Sequence, residues 1–380
     1  MIDYEKSNYI QNDKFSYLFN SIEDELYFFG CKKIILFILV IIISIQFTIK
    51  NSNNGKDKRM AANIKKVNRR LFLIKEDEDM LSIDKKKNKI QIVMTTDNEG
   101  IYITLVSITS SLYNNNKDEN ILIFHLFVSH DFNMDYLKYF ESLKQQYVFI
   151  LNIYQIPNIF KYLKKWRNSV TVYYKLLIPI VFNDFERIIY LDSDTLIFKD
   201  MYEMYNLPFN NSYVLGYPFH TAYMIDKLGI NAKYYINAGV MLLNIEQIRK
   251  DNKDIELLEY TFHNSSDFLF LEQDTLNYVY LNRTGFLPLK YGIYLYGNIQ
   301  EFISHYSHLL RVKLDIKEVK KAIKDPSIIH LCCCVPKVWI KGSKHERYHY
   351  NKTCTKYQKK FYFYANKTKY YDEIYNKYMK

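Results

Sequence analysis

From Ile90 onward, short runs of apolar and β-branched residues alternate with longer amphipathic stretches, and this alternation restricts the fold more than any other feature of the chain. Ile90-Gln91-Ile92-Val93-Met94-Thr95 reads as a buried strand that ends at the turn Thr96-Asp97-Asn98-Glu99-Gly100. Ile101 to Leu112 is predicted helical, Ile121 to Val128 a second strand, Met134 to Gln146 an amphipathic stretch, and Phe149 to Tyr154 a third strand. Val172 to Phe182 is predicted to be a helix, and Arg187 to Leu191 another buried strand. Strands alternating with helices imply an α/β fold: a mostly parallel central sheet with flanking helices. Ligands of such sheets bind outside the carboxyl ends of the strands.

Two acidic clusters sit at such ends. Ile188-Ile189-Tyr190-Leu191-Asp192-Ser193-Asp194 runs a hydrophobic strand straight into two carboxylates one residue apart. Alternation at a strand end points residues i and i+2 the same way, so Asp192 and Asp194 can converge on one hard cation such as Mg2+ or Mn2+. In Ile236-Asn237-Ala238-Gly239-Val240-Met241-Leu242-Leu243-Asn244, small residues lead into an apolar strand, where backbone can approach a ligand closely. Leu271-Glu272-Gln273-Asp274-Thr275-Leu276-Asn277 sets two acids and an amide at a helix start, a pattern that also serves as a cap. His330 follows the strand Ser327 to Ile329, with Lys337 and Trp339 downstream, and is a candidate third metal ligand.

Residues 1–33 read as a short polar tail. Residues 34–49, IILFILVIIISIQFTI, are fenced by Lys33 and Lys50 and read as an N-terminal transmembrane helix, slightly short but able to span with snorkelling lysines. Residues 50–88, rich in Lys, Asn and Asp, read as a stem or linker, and 89–380 as the folded domain. Flanking lysines favour a cytosolic C-terminal domain by the positive-inside rule. Five glycosylation sequons, at Asn210, Asn264, Asn282, Asn351 and Asn366, favour a lumenal one. A disulfide from Cys354 to the triplet Cys332-Cys333-Cys334 is expected if the domain is lumenal, and buried thiols are the alternative. The formal net charge of +11 is spread along the chain without a nucleic-acid-binding module, so no nucleic-acid partner is expected. The Tyr- and Lys-rich tail, 341–380, carries no functional signal of its own.

Taken together and in this order, these motifs resemble glycosyltransferase family 8, the glycogenin-like and lipopolysaccharide-galactosyltransferase-like enzymes. The resemblance runs from Ile90 to Ile340, and its most characteristic stretch is Val172-Tyr173-Tyr174-Lys175-Leu176 through Tyr190-Leu191-Asp192-Ser193-Asp194. It implies a GT-A fold, a UDP-sugar donor, Mn2+ (or Mg2+) and retention of anomeric configuration. It also implies a glycan or glycoprotein acceptor and a single-pass type II enzyme of the Golgi or endoplasmic reticulum, anchored in the membrane with its catalytic domain in the lumen.

Carried across residue by residue, Asp192, Asp194 and His330 match the metal ligands. Thr95, Asp97, Lys175, Asp192, Ser193, Asn237, Ala238 and Lys337 match the nucleotide-sugar site, with Thr95 and Asp97 holding uridine and Lys337 the diphosphate. Glu272, Gln273 and Asp274 match the catalytic segment, with Gln273 nearest the anomeric carbon and Asp274 binding donor hydroxyls. The chain departs from the family pattern in two places. Lys175 stands where Arg is frequent, and Cys332-Cys333-Cys334 and Val338 replace the small residues and proline of the last motif. Retention by front-face attack and by a covalent route through Glu272 or Gln273 both remain open on sequence. A catalytically silent carbohydrate-binding or scaffold protein on the same fold is the main alternative; a nucleotidyltransferase would carry a Gly-rich phosphate loop, which Thr95 to Gly100 is not.

Overall fold

The computed structural model describes residues 69, 72–77, 86–115, 118–166, 168–219, 226, 235–292, 315–333, 337–341 and 352–379. The strands, in chain order, are β1 (Leu73–Lys75), β2 (Asn88–Thr96), β3 (Asn120–Val128), β4 (Ile150–Gln155), β5 (Arg187–Leu191), β6 (Thr195–Ile197), β7 (Val214–Pro218), β8 (Ile236–Asn244), β9 (Thr284–Phe286) and β10 (Ile328–His330). Eight of them form one sheet in the order β1-β4-β3-β2-β5-β8-β7-β9, and β10 pairs with β6 in a separate ladder. The helices that bear on function are α1 (Ile101–Asn114), α2 (Lys253–Asn264), α3 (Glu272–Val279), α4 (Lys352–Ala365) and α5 (Tyr371–Met379).

The sheet, expected to be mostly parallel, is mixed, with four parallel and three antiparallel pairings. β2 runs parallel to β3 and β5, β3 to β4, and β7 to β9, whereas β5 and β7 both pair antiparallel with β8, and β1 with β4. The chain steps from β2 outward to β3 and β4, then returns to place β5 on the other side of β2. That reversal opens a crevice at the carboxyl ends of β2 and β5, the position where such sheets take ligands.

Both faces of the sheet are covered, which explains the continuous apolar runs. Ile90, Ile92 and Met94 of β2 pack with α1 and the C-terminal helices, while Val93 faces the opposite layer with Phe127 and Tyr190. Ile189 and Leu191 likewise join the first layer, Ile188 and Tyr190 the second. Full burial of each such aliphatic side chain contributes about 1.5–3 kcal/mol. α1 also carries a stripe of buried hydroxyls. Ser107 bonds Thr195 at 2.9 Å and the Ile197 amide donates to Ser110 at 3.0 Å, docking the helix on β6.

Two other expectations change. Val172 to Phe182 is a 3-10 helix, Thr171–Leu177, followed by a short α-helix, Ile178–Val181. Pro179 lacks an amide proton and sits in the first turn of that second helix, so it starts a helix instead of continuing one. The stretch read as linker contributes β1, whose Leu73 pairs with Tyr154, and Phe72 beside it is buried. The apolar run expected to form an anchor, residues 34–49, lies outside the described residues, and among those described no helix is long and apolar enough to cross a membrane.

Candidate active site

β5 ends at Leu191, and the Asp192 amide donates to the Gly239 carbonyl at 2.7 Å, so the two carboxylates emerge beside the small residues of β8. The chain then turns into β6, which pairs His330 of β10 against Thr195. The Leu331 amide closes this junction by donating to the Asp194 carbonyl at 2.8 Å. Asp192, Asp194 and His330 thereby each present one ligand atom, all within 4.8 Å of one another. His330 Nε2 stands 2.8 Å from Asp194 Oδ1 and 3.5 Å from Asp192 Oδ2, while its Nδ1 is hydrogen-bonded to the Tyr217 hydroxyl at 2.6 Å. A partner on the far ring nitrogen is the usual way a metal-binding imidazole is oriented.

The space between these ligands exists because residue 239 is glycine. A Cβ there would stand 2.6 Å from His330 Nδ1 and 2.7 Å from Asp192 Oδ2, and closer still to His330 Cε1. Two carboxylates and an imidazole suit a divalent ion that accepts mixed oxygen and nitrogen donors, as Mn2+ does better than Mg2+.

The cluster forms part of the wall of a cavity of about 410 Å³. Of the residues singled out on sequence, Thr95, Asp97, Asp192, Ser193, Asp194, Asn237, Glu272, Gln273, His330 and Lys337 all line it, together with Trp166, Phe219 and Phe270. Asp97 is fixed by the Gly100 amide at 2.9 Å and the Ser169 hydroxyl at 2.8 Å. The Ser193 hydroxyl is used internally, donating to the Thr95 carbonyl at 2.7 Å and accepting from Thr104 of α1 at 2.9 Å. Lys337 Nζ lies 2.7 Å from Asp194 Oδ2 and also donates to the carbonyls of Leu331 and Cys332.

Three expected site residues stand behind the wall. Lys175 is buried, and its ammonium donates to Asp192 at 3.1 Å, the Ala238 carbonyl at 3.1 Å and Glu272 at 2.9 Å, so it holds the protein's own carboxylates. Ala238 is buried too, its amide donating to Gln273 at 3.1 Å. Asp274 is turned inward. Its carboxylate accepts from Tyr235, from the Leu269 amide at 2.7 Å and from the Phe270 amide at 2.9 Å. Those bonds shape the turn in which Leu271 takes φ 51°, a strained conformation for a leucine that costs about 1–3 kcal/mol. The turn delivers Glu272 and Gln273 to the cavity at the start of α3, and Gln273 is held at its other end by Tyr235 at 3.2 Å.

Charge balance accounts for the ionisation of the group. Burial alone would lower the Lys175 ammonium, but Asp192 and Glu272 outweigh it and hold it well above its ordinary value. Burial pushes the Glu272 carboxyl up, and Lys175 opposes that shift. Burial would raise Asp194, yet Lys337 and His330 keep it well below the usual carboxylate range. His330 would be lowered by burial, but Cys332 and Asp194 raise it well above its ordinary value. Cys332 is not part of a disulfide in this structure, and the side chains of Cys333, Cys334 and Cys354 lie outside the described residues.

Sequence reading passed over several contributors. Tyr217, which orients His330, is one of 37 tyrosines and carries no local mark. Tyr190 donates to Asp192 at 2.6 Å from within a strand that reads only as apolar core. Gly239 was visible as part of a small-residue stretch, but its contact with His330 depends on a residue far away in sequence.

Gly239→Ala is expected to retain the folded circular-dichroism spectrum while weakening Mn2+ binding, followed by electron paramagnetic resonance, at least a hundredfold by rough estimate, because displaced ligands lose their geometry. In the metal-free protein the protonated His330 stabilises the fold fully below its ordinary value of 6.5, and this contribution fades as pH rises through the raised value. A cation needs the same nitrogen deprotonated. Apparent Mn2+ affinity is therefore expected to rise with pH, about tenfold per unit around neutrality, and His330→Gln to flatten that slope.

Comparison with known proteins bears on both sequence and shape. The profile of glycosyl transferase family 8 matches residues 91–342. General stress protein A of Bacillus subtilis (strain 168) is 27% identical over 189 residues, 47% of this chain and 63% of that protein. A putative glycosyltransferase of Haemophilus influenzae is 21% identical over 271 residues, 68% of this chain and 76% of the relative. Among solved structures, the bifunctional glycosyltransferase WbbM in its apo form superposes with a TM-score of 0.61 at 19% identity, over 78% of this chain and 53% of that one. The galactosyltransferase LgtC, bound to donor and acceptor sugar analogs, gives 0.56 at 15% identity, over 74% and 96%. The chain thus spans less than two thirds of General stress protein A and of WbbM. With a mixed α/β sheet of the GT-A type and a matching profile over most of its length, the chain belongs to glycosyltransferase family 8.

Proposed function

We propose that this glycosyltransferase transfers a hexose or pentose from a UDP-sugar to a glycan or glycoprotein acceptor, with Mn2+ and with retention of configuration. The observation that carries the reading is the meeting of Asp192, Asp194 and His330 at one point, with Lys337 beside them on the cavity wall. In this reading those three side chains would hold the ion, which would supply positive charge for a departing diphosphate. Lys337 adds a second positive charge on the same side, and its value is greatest when the leaving group carries full charge. Thr95 and Asp97 hold the uridine end, where Asp97 is already fixed by Gly100 and Ser169. Asn237 and Gln273 face the transferred sugar.

Retention is better served by front-face attack than by a covalent route. Glu272 is tied to Lys175 by an ion pair at 2.9 Å, which lowers its nucleophilicity, and Gln273 is an amide held at both ends. An acceptor hydroxyl would then attack from the side of the departing diphosphate and give its proton to a phosphate oxygen. Purified protein is expected to hydrolyse or transfer from at least one UDP-sugar only when Mn2+ is added. Asp192→Asn should lower that turnover at least a thousandfold, as a rough expectation for losing a metal ligand and its charge stabilisation, with thermal stability kept. Binding of UDP without turnover of any UDP-sugar would instead support a silent scaffold, and undiminished activity in Asp192→Asn would remove the metal assignment.

Membrane anchoring belongs to the same proposal. Residues 34–49 carry no charge and are apolar apart from Ser44, Gln46 and Thr48, and a domain beyond them in the lumen of the Golgi or endoplasmic reticulum would meet glycoprotein acceptors. The full-length chain is expected in the membrane pellet after alkaline carbonate washing, and release of most of it to the supernatant would refute the anchor.

A further inference from the structure

We infer that the C-terminal helix pair, α4 and α5, is a clamp that sets the position of Lys337 and so the grip on a diphosphate. The inference rests on the reading of Lys337 above. Both helices lie beyond the family match, which ends at residue 342, and nothing in their sequence announces a role at the site.

The contacts are specific to the short segment that carries Lys337. The Lys337 ammonium sits 5.3 Å from the centre of the Trp339 ring. That ring in turn packs on Phe361 of α4, with centroids 5.7 Å apart. The Tyr362 hydroxyl donates to the Trp339 carbonyl at 2.6 Å, and the Lys341 amide donates to the Tyr378 carbonyl of α5 at 3.0 Å. Residues 337–341 are therefore held by a ring from one helix and by hydrogen bonds to both.

The helices are themselves fastened to the other rim of the cavity. Tyr102, in the first turn of α1, and Tyr139 both donate to Glu373 at 2.9 Å. Lys377 pairs with Glu99 at 3.3 Å, within the turn that follows β2 and carries Asp97. Phe361 and Tyr364 are buried in the layer that contains α1. One rigid unit thus joins the turn assigned to uridine and the segment assigned to the diphosphate. Tyr362 acts through Trp339 and Lys337 and is a positioning residue.

The test compares UDP with uridine, which lacks the diphosphate, by calorimetric titration of the full chain in Mn2+. Tyr362→Phe removes one hydrogen bond and keeps the ring. It is expected to weaken UDP about fivefold and leave uridine unchanged. In a Lys337→Ala background the same substitution should have no further effect on UDP. Phe361→Leu, which loosens the Trp339 ring by another route, should give the same UDP-selective loss, and a thermal melt checks that each variant folds. Equal losses for UDP and uridine, an unchanged UDP affinity in both variants, or additivity with Lys337→Ala would each overturn the clamp. A wild-type chain that binds neither compound would instead overturn the assignment of the site, and the clamp with it.

Discussion

Three carboxylates, Asp192, Asp194 and Glu272, converge at the end of one central strand, and the structure around them is arranged to keep that concentration of negative charge folded. A buried carboxylate without a partner is costly, so each needs a cation at close range. Lys175 serves from behind, bridging Asp192 and Glu272 from a fully enclosed position. Lys337 and His330 serve from the front, both on Asp194. The two lysines differ in what they can do. Both ammonium groups meet acceptors belonging to the protein, but Lys175 is enclosed behind the wall whereas Lys337 lines the cavity.

This electrostatic demand shapes the neighbouring backbone. Room for His330 beside Asp192 requires a residue without a side chain at 239, and the antiparallel pairing of β8 with β5 puts Gly239 there. The D-x-D turn is also held from the opposite side. Thr104 of α1 donates to Ser193, and Ser107 bonds Thr195, so the helix that follows β2 grips the turn that follows β5. Buried hydroxyls in a helix would otherwise be a liability, and here Thr104, Ser107, Thr109, Ser110 and Ser111 of α1 each have a partner. Strain at Leu271 belongs to the same pattern, because Asp274 and Tyr235 stabilise a turn whose product is the placement of Glu272 and Gln273.

The C-terminal helices extend the arrangement beyond the family's shared core. Their aromatic residues, in a tail that carries no functional signal on sequence, pack into the layer that covers one face of the sheet. Glu373 collects two tyrosine hydroxyls there, and the layer reaches both rims of the cavity.

What the sequence determined alone was local. The buried strands from Ile90, Ile121, Arg187 and Ile236 were legible, because a strand covered on both faces must be continuously apolar, and so was the pair Asp192 and Asp194, because alternation within three residues needs no knowledge of the rest. The helix start at Glu272 was legible for the same reason. Tertiary structure decided the rest. Whether β5 and β8 run parallel or antiparallel depends on the path of the connecting chain, which local pattern does not encode. Whether Lys175 meets a ligand or two carboxylates depends on which strand end lies beside it. Asp274 looked equivalent to Glu272 in sequence, yet the two point apart because positions two residues apart on a helix lie about 200° from one another. His330 joins the metal cluster only through the pairing of β10 with β6, a contact between residues more than a hundred positions apart, and long-range pairing of that kind is written in the packing of the whole domain and not in any segment of it.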